Sequence, residues 1–189
     1  MINIRNSIFE TNSSSMHSII ISKNEVSDNE DYFIHNWVKY PKLELDEDEL
    51  YFGRSPFALL DTFEKKINYL IASEINSDKE FKVLINTVNE ILHEHNINVN
   101  ATITIPEVEE YDYNTYKYTG NKISYYGDID HQSEGTLRGF LNKYHITHKE
   151  FLENPNIIVV IDGDEYCYLY NMIDMGLLNK KSFDIYPKE

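Results

Sequence analysis

The run at residues 156–161, "NIIVVI", constrains the fold more than any other stretch of the sequence. It is a continuous apolar segment of strand length, and most of its residues are β-branched. A strand without alternating polar positions is expected to be covered on both faces, in the interior of a sheet. The rest of the chain must therefore supply neighbouring strands and covering helices.

Other segments have the patterns of strands that could join this one. Residues 17–22, "HSIIIS", are apolar and β-branched, and residues 2–8 alternate apolar and polar positions. Residues 99–105 alternate in the same way, and residues 109–126 are rich in tyrosine, with Gly120-Asn121 as a hairpin turn. Two more strands are predicted at residues 32–40 and 49–54, flanking an acidic run at 44–49 that is interpreted as a solvated loop.

Several helices are predicted between these strands. One begins at Ser55-Pro56, an N-cap residue followed by proline. A second begins at Ser77, where Glu80 completes a capping-box pattern. Shorter helices are predicted at residues 133–144 and 147–152, and a further one after residue 165. Three of these helices have an apolar face at helical spacing. The first helix has Phe63, Ile67, Leu70 and Ile71, and the second has Phe81, Leu84, Ile85, Val88, Ile91 and Leu92. The last helix has Leu169, Met172, Ile173 and Leu177.

These elements predict an α+β fold in which helices pack against a mixed β-sheet. The chain has 189 residues, of which 41% are hydrophobic and 26% charged, as in ordinary globular proteins. That length suits one domain with a sizeable core. We therefore expect residues 1–189 to form a single α+β domain.

The charge balance of the chain bears on its partners. There are 32 acidic and 17 basic residues, which gives a formal net charge of -15. Such an excess repels phosphate backbones, so direct nucleic-acid binding is not expected, whereas a basic protein surface would be attracted. The same charge is also typical of a protein that is simply highly soluble.

The single cysteine and the hydropathy pattern bear on location. Cys167 cannot form an internal disulfide, which favours a reducing compartment. No signal-like or membrane-spanning apolar stretch is found in the sequence, so no membrane association is expected. We expect a cytoplasmic protein, in the host cell cytoplasm if the chain is phage-encoded.

The first of three polar clusters lies at residues 11–18, between two predicted strands. Serial hydroxyls and backbone amides in a tight connection can hold an anion, and His17 can serve as general acid or base. The same composition is also typical of a serine-rich turn without chemistry. The candidate ligand-binding residues in this region are Arg5, Asn12, Ser13, Ser14, Ser15 and Ser18.

The second cluster is "GDIDHQS", residues 127–133. Asp128, Asp130 and His131 could bind a metal or orient a water, with His17, Asp162 or Asp164 as a further ligand. His131 could also transfer protons, and Gln132 could contact a ligand. Ser133 is a further ligand-binding candidate and the predicted N-cap of the following helix. An acidic turn before a helix would give the same pattern.

The third cluster, "DGDE" at residues 162–165, directly follows the buried strand. Ligands of α/β sheets favour the carboxyl ends of strands, which makes Asp162 and Asp164 candidate metal ligands together with Asp130. Mg²⁺ or Mn²⁺ would suit such carboxylates. A glycine turn with acids at the start of a helix is the alternative interpretation.

Two of these clusters carry a resemblance to a protein family. Residues 5–21, "RNSIFETNSSSMHSIII", resemble the N-terminus of a family of uncharacterised phage and bacterial proteins that begin with Phe-Glu-Thr-Asn-Ser-Ser-Ser-x-His-Ser. Residues 129–133, "IDHQS", resemble a downstream Asp-His-Gln-Ser motif of that group. The resemblance implies phage or mobile-element ancestry, and it favours a single pocket containing both motifs.

Two classes of function are consistent with the sequence. The favoured hypothesis is a phage- or mobile-element-encoded accessory protein that binds or acts on a small phosphate-bearing ligand such as a nucleotide. The alternative is a non-enzymatic acidic inhibitor, an anti-CRISPR protein or nucleic-acid mimic, that binds a basic surface of a host or defence protein.

Overall fold

The apolar segment that begins at residue 157 is a central strand of the fold. The computed structural model describes residues 16–22, 42–52, 58–129, 136–162 and 183–186. The strands in these ranges are β1 (Met16–Ser22), β2 (Lys42–Glu44), β3 (Tyr51–Phe52), β4 (Ala58–Leu60), β5 (Thr102–Thr104), β6 (Glu107–Asp112), β7 (Lys117–Ser124), β8 (Asp128–Ile129), β9 (Ile157–Asp162) and β10 (Phe183–Tyr186). The helices are α1 (Glu47–Leu50), α2 (Phe63–Glu74), α3 (Asp78–Glu94), α4 (Leu137–Tyr144) and α5 (His148–Glu153).

The main sheet has four strands in the order β10-β1-β9-β4, and every neighbouring pair is antiparallel. Ile157, Val159 and Ile161 of β9 pack with Ile19 of β1 in the main core. Val160 is also fully buried although it lies outside that cluster. Both faces of β9 are therefore covered, which confirms the prediction for this segment.

The α+β class is confirmed, and the buried apolar residues of the described ranges, apart from Val160, form one core. This cluster contains residues of the main sheet, of each of the five helices described and of the short strands β3 and β5. Parallel pairing occurs in two separate two-stranded sheets, β2 with β5 and β3 with β8. In the part of the chain that the structure describes, parallel and antiparallel pairs thus occupy different sheets.

Helix α2 has the predicted apolar face but a different start. Phe63, Ile67, Leu70 and Ile71 are all buried, as the spacing predicts. The predicted start at Ser55-Pro56 is wrong, because β4 intervenes and pairs with β9. The helix begins after Thr62, whose hydroxyl accepts a hydrogen bond from the amide of Lys65.

Helix α3 begins after Ser77 as predicted, but Glu80 does not complete a capping box, because its carboxylate accepts from the amide of Asn76 and not from that of Ser77. The Ser77 hydroxyl accepts from the amide of Glu80, and the Glu80 carboxylate accepts from the amide of Asn76 and the hydroxyl of Ser77. The interior of its apolar stripe is buried, and Phe81 and Ile85 at its edges are partly buried. Helix α5, with Thr147 as its N-cap, also confirms its prediction.

The acidic run at residues 44–49 is not the loop that its charge predicts. Glu44 ends β2, and residues 47–50 form the helical turn α1. Asp46 accepts from the amide of Glu49, and the Glu49 carboxylate accepts from the amide of Asp46. This capping box, with acids at a helix N-terminus, stabilises the turn, and β3 begins at Tyr51 after it.

The predicted hairpin turn at Gly120-Asn121 is also wrong. The β6–β7 hairpin turns at residues 113–116, where Asp112 accepts from the amide of Asn114 and the hydroxyl of Thr115. Gly120, with φ of +81°, lies inside β7 at an irregularity of the pairing. The positive φ of Gly120 permits the bulge in β7. The chain reverses instead at residues 113–116, in the turn that the side chain of Asp112 caps.

Helix α4 begins later than its sequence pattern suggests. Thr136 accepts from the amide of Gly139 and caps the helix, so the prediction of Ser133 as the cap is wrong. Strand β5 confirms the core of the segment predicted at residues 99–105, with Ala101 and Ile103 buried. The predicted strands at 2–8 and 32–40 and the helix after residue 165 lie outside the described residues.

Candidate functional site

At the end of the main sheet where β1 begins and β9 ends, the described residues of two polar clusters lie on neighbouring strands. Met16 pairs with Asp162, and His17 pairs with Ile161. Ala58, the first residue of β4, pairs with the same Ile161 from the other side. The backbone positions of His17 and Asp162 are therefore neighbours, although the two residues lie far apart in the sequence.

The other candidate residues divide into two groups. Ser18 lies within β1, opposite Val160. The others lie outside the described residues and stay predictions: Arg5, Asn12, Ser13, Ser14, Ser15, Asp130, His131, Gln132, Ser133 and Asp164.

The Asp-His-Gln-Ser motif follows a different sheet. Ile129, directly before Asp130, ends β8 and pairs with Phe52 of β3. This two-stranded sheet is separate from the one that contains β1 and β9. A single cavity shared by this motif and the N-terminal hydroxyl cluster therefore stays a prediction.

Metal ligation also stays a prediction. Within the described ranges, no group of three His, Cys, Asp or Glu residues could hold a metal ion. The proposed set of Asp130, Asp162 and Asp164 depends on side chains outside that description. The same ranges contain no helix long and apolar enough to cross a membrane.

Lys66 is a buried polar residue that the sequence-based site prediction missed. Its side chain is fully buried, and Nζ donates to the backbone oxygens of Phe151 at 3.1 Å and Asn154 at 2.6 Å. The amine also lies 5.5 Å from the centroid of the Phe151 ring. Burial lowers the pKa of Lys66 to about 7, and the nearby charge of Asp61 opposes this shift. These contacts satisfy backbone oxygens at the C-terminus of α5, so Lys66 has a structural role.

The β6–β7 hairpin, which we call the tyrosine hairpin (residues 107–124), exposes a group of aromatic rings. The exposed fractions are 77% for Tyr113, 78% for Tyr116 and 66% for Tyr118. The ring of Tyr111 meets those of Tyr113 and Tyr118 edge to face, each with centroids 5.1 Å apart. The hairpin therefore presents an ordered aromatic surface to solvent.

A shallow concavity lies at the base of this hairpin. It has a volume of about 640 Å³, and its lining includes Ser77 and Asp78 at the start of α3, and Lys122 and Tyr126. The Tyr126 hydroxyl donates to Asp78, and its ring meets Phe81 edge to face. Burial, followed by the hydrogen bond to Asp78, raises the pKa of Tyr126. These contacts join the segment that directly follows the hairpin to α3.

The sequence contained signals for both missed features. Lys66 lies three residues after Phe63 and four before Leu70, which places it on the apolar face of α2. A lysine at such a position is expected to be buried or to extend its amine to a partner. The density of tyrosine at residues 109–126 was visible, but exposure depends on what the hairpin packs against.

Comparison of the chain with protein-family models, with curated proteins and with solved structures gives no match in any of the three. Function is therefore inferred from the residues of the chain and their positions in the fold.

Proposed function

We propose that the protein is a phage- or mobile-element-encoded accessory protein that binds, or acts on, a small phosphate-bearing ligand such as a nucleotide. The proposed site is the end of the main sheet where β1 begins and β9 ends. The ancestry rests on the resemblance of residues 5–21 and 129–133 to the phage and bacterial family. The proposed location of the site rests on the pairing of Met16 with Asp162.

Chain connectivity extends this observation to the hydroxyl cluster. Ser15 is bonded to Met16, and Met16 lies opposite Asp162. Paired strand residues have Cα atoms about 4.5–5.5 Å apart, so Met16, the residue bonded to the hydroxyl cluster, lies directly beside Asp162. Hydroxyl donors and a carboxylate held close together can contact different parts of one metal-bound phosphate.

Each group in the proposed site has a chemical role. The hydroxyls of Ser13, Ser14 and Ser15 would donate to phosphate oxygens, and Arg5 would add positive charge. His17 or His131 would transfer protons. The remaining polar candidates, Asn12, Ser18, Gln132 and Ser133, would orient the ligand.

A divalent cation would reconcile a phosphate ligand with an acidic protein. The net charge of -15 repels an unaccompanied phosphate. Mg²⁺ or Mn²⁺ held by Asp162, Asp164 and Asp130 would offset that repulsion, because both ions prefer carboxylate and phosphate oxygens. Ligand binding is therefore expected to require the metal.

Thermal unfolding with ATP, ADP or inorganic phosphate, each with and without Mg²⁺ or Mn²⁺, tests the proposal. A ligand at about 100 times its dissociation constant stabilises the folded state by about 2.7 kcal/mol, which raises the Tm of a chain of this size by roughly 5–10 °C. We expect such a rise with at least one probe, and only when the metal is present. The substitutions Ser15→Ala, His17→Ala and Asp162→Asn should abolish it.

Two matched substitutions serve as controls. Ser22→Ala changes the same residue type at the opposite end of β1, and His93→Ala changes an exposed histidine in the last turn of α3. Both variants should respond like the wild type. If no phosphate probe raises the Tm, or if Ser15→Ala and His17→Ala retain the full response, the proposed site is wrong.

A further inference from the structure

The tyrosine hairpin exposes three aromatic side chains to solvent. Tyr113, Tyr116 and Tyr118 are 77%, 78% and 66% solvent-accessible. An aromatic side chain buries 150–250 Å² when covered, so these three rings offer roughly 300–550 Å². Exposed patches of that size often mark binding sites.

The surface is held in place by contacts inside the hairpin. Asp112 accepts hydrogen bonds from the Asn114 amide at 2.9 Å and the Thr115 hydroxyl at 2.7 Å, which fixes the turn. Glu109 accepts from the Gly120 amide at 3.0 Å, which fixes the bulge in β7. A partner that binds these rings would therefore lose little free energy to ordering the loop.

The charges around the rings are predominantly negative. The two strands carry four acidic residues, Glu107, Glu109, Glu110 and Asp112, and two lysines, Lys117 and Lys122. The Glu110 carboxylate accepts from the hydroxyl of Thr119 and the side-chain amide of Asn121, which are neutral donors. Among the described residues, Glu109, Glu110 and Asp112 form no ion pair with a lysine or arginine. Lys122 and Lys117 lie opposite Glu109 and Asp112 in the ladder, and the four acids and two lysines leave the two strands with a net charge of -2 that would attract a cation.

We propose that the tyrosine hairpin is a docking surface for a positively charged, arginine-bearing segment of another protein. A guanidinium group stacks on aromatic faces and pairs with carboxylates, and this hairpin presents both. A second copy of the chain would bring like charges together, and a nucleic acid would be repelled by the net charge of -15. The surface shares no residue with the phosphate site, so either proposal can fail alone.

The binding of fluorescently labelled octa-arginine, compared with octa-lysine, tests the chemistry of this surface by anisotropy. We expect octa-arginine to bind more tightly, and its affinity to fall when NaCl is raised from about 0.1 M to about 1 M, because the Debye length falls from about 10 Å to about 3 Å. Tyr118→Leu should weaken octa-arginine binding about fivefold and reduce the preference over lysine, because the aromatic face is lost. Tyr118→Phe should retain both.

Matched variants separate the hairpin from the overall charge of the chain. Tyr51→Leu removes an exposed tyrosine outside the hairpin and should bind like the wild type. The pairs Glu109→Gln/Glu110→Gln and Glu47→Gln/Asp48→Asn change the net charge by the same two units, and only the first should weaken binding. Circular dichroism checks that each variant is folded.

Three results would overturn the proposal. One is equal weakening by the two charge-matched pairs, which would assign the binding to net charge alone. Another is unchanged binding by Tyr118→Leu. The third is a wild-type dimer, detected by light scattering, that dissociates on Tyr118→Leu, which would make a second copy the occupant.

Discussion

The amine of Lys66 in α2 donates a hydrogen bond of 2.6 Å to the backbone oxygen of Asn154, the residue that follows α5. This contact joins two helices through a group that is fully removed from solvent. Because the site disfavours the charged amine, the protonation of Lys66 is coupled to folding.

The stability of the protein should therefore rise with pH above neutrality. The pKa of Lys66 is about 7 in the folded chain and near its ordinary value of 10.5 in the unfolded chain. Between these values the unfolded chain binds more protons, so the free energy of unfolding increases with pH, by at most about 1.4 kcal/mol per unit. Below pH 7 both states are protonated, and this contribution no longer changes.

Urea unfolding of the wild type and of Lys66→Met, from pH 6 to pH 10, measures this effect. The difference in unfolding free energy between the two proteins should change across the window. Lys65→Met is the matched control, since Lys65 is half-exposed and pairs with Asp61 at 3.1 Å. Parallel pH profiles for the wild type and Lys66→Met would contradict the prediction.

Two serines near α3 should differ in their contribution to stability. Ser77 caps the helix, so Ser77→Ala should reduce the free energy of unfolding by about 1 kcal/mol. Ser73 lies inside α2 and donates to the backbone oxygen of Tyr69, which competes with helical bonding, so Ser73→Ala should change stability by less than about 0.5 kcal/mol. Chemical denaturation compares the two, and equal losses would show that the cap contributes nothing specific.

Two glycines with positive φ should respond differently to alanine. A Cβ atom on Gly127 would lie 2.5 Å from the backbone oxygen of Leu50 and 2.9 Å from the Cβ of Ala72, whereas Gly120 has open space. Gly120→Ala should cost about 1–2 kcal/mol from backbone strain alone. Gly127→Ala should cost about 2–5 kcal/mol, because overpacking adds to that strain. Thermal unfolding measures both, and a smaller loss at Gly127 than at Gly120 would contradict the close approach of Gly127 to Leu50 and Ala72.

The start of α2 can be tested by substitution at its two candidate caps. Thr62→Ala should reduce the free energy of unfolding by about 1 kcal/mol, because the Thr62 hydroxyl accepts from the Lys65 amide. Ser55→Ala should have an effect within about 0.5 kcal/mol, because β4 separates that residue from the helix. The opposite order of losses in urea unfolding would support the helix start that the sequence predicts.

Helices and strands whose patterns lie within one segment could be predicted from the sequence. Elements that depend on pairing between strands far apart in the chain could not. Helix α3 has its cap and its apolar stripe within one segment. Strand β9 is a continuous run of β-branched apolar residues, which is the pattern expected of a strand buried on both faces. The local cap signal at Ser55-Pro56 was misleading because β4 pairs with a strand about a hundred residues away. In the hairpin, the side chain of Asp112 closes the turn, and the Gly120-Asn121 pair serves a bulge instead.

The candidate site was predictable only in outline. Its residue types were apparent from the sequence, but the proximity of His17 to Asp162 follows from antiparallel pairing between strands from opposite ends of the chain. No local pattern encodes that register, because it is set by which strands meet in the sheet. The exposure of Tyr113, Tyr116 and Tyr118 likewise depends on the whole fold.

The pairing of β1 with β9 and β10 has a consequence for synthesis on the ribosome. Well over a hundred residues separate β1 from both neighbours, so it has neither partner when it leaves the exit tunnel. At 5–20 residues per second, the wait for β9 lasts roughly 7–30 seconds. During that interval the apolar residues of β1 are open to chaperones and to aggregation, and closing so long a loop favours slow folding.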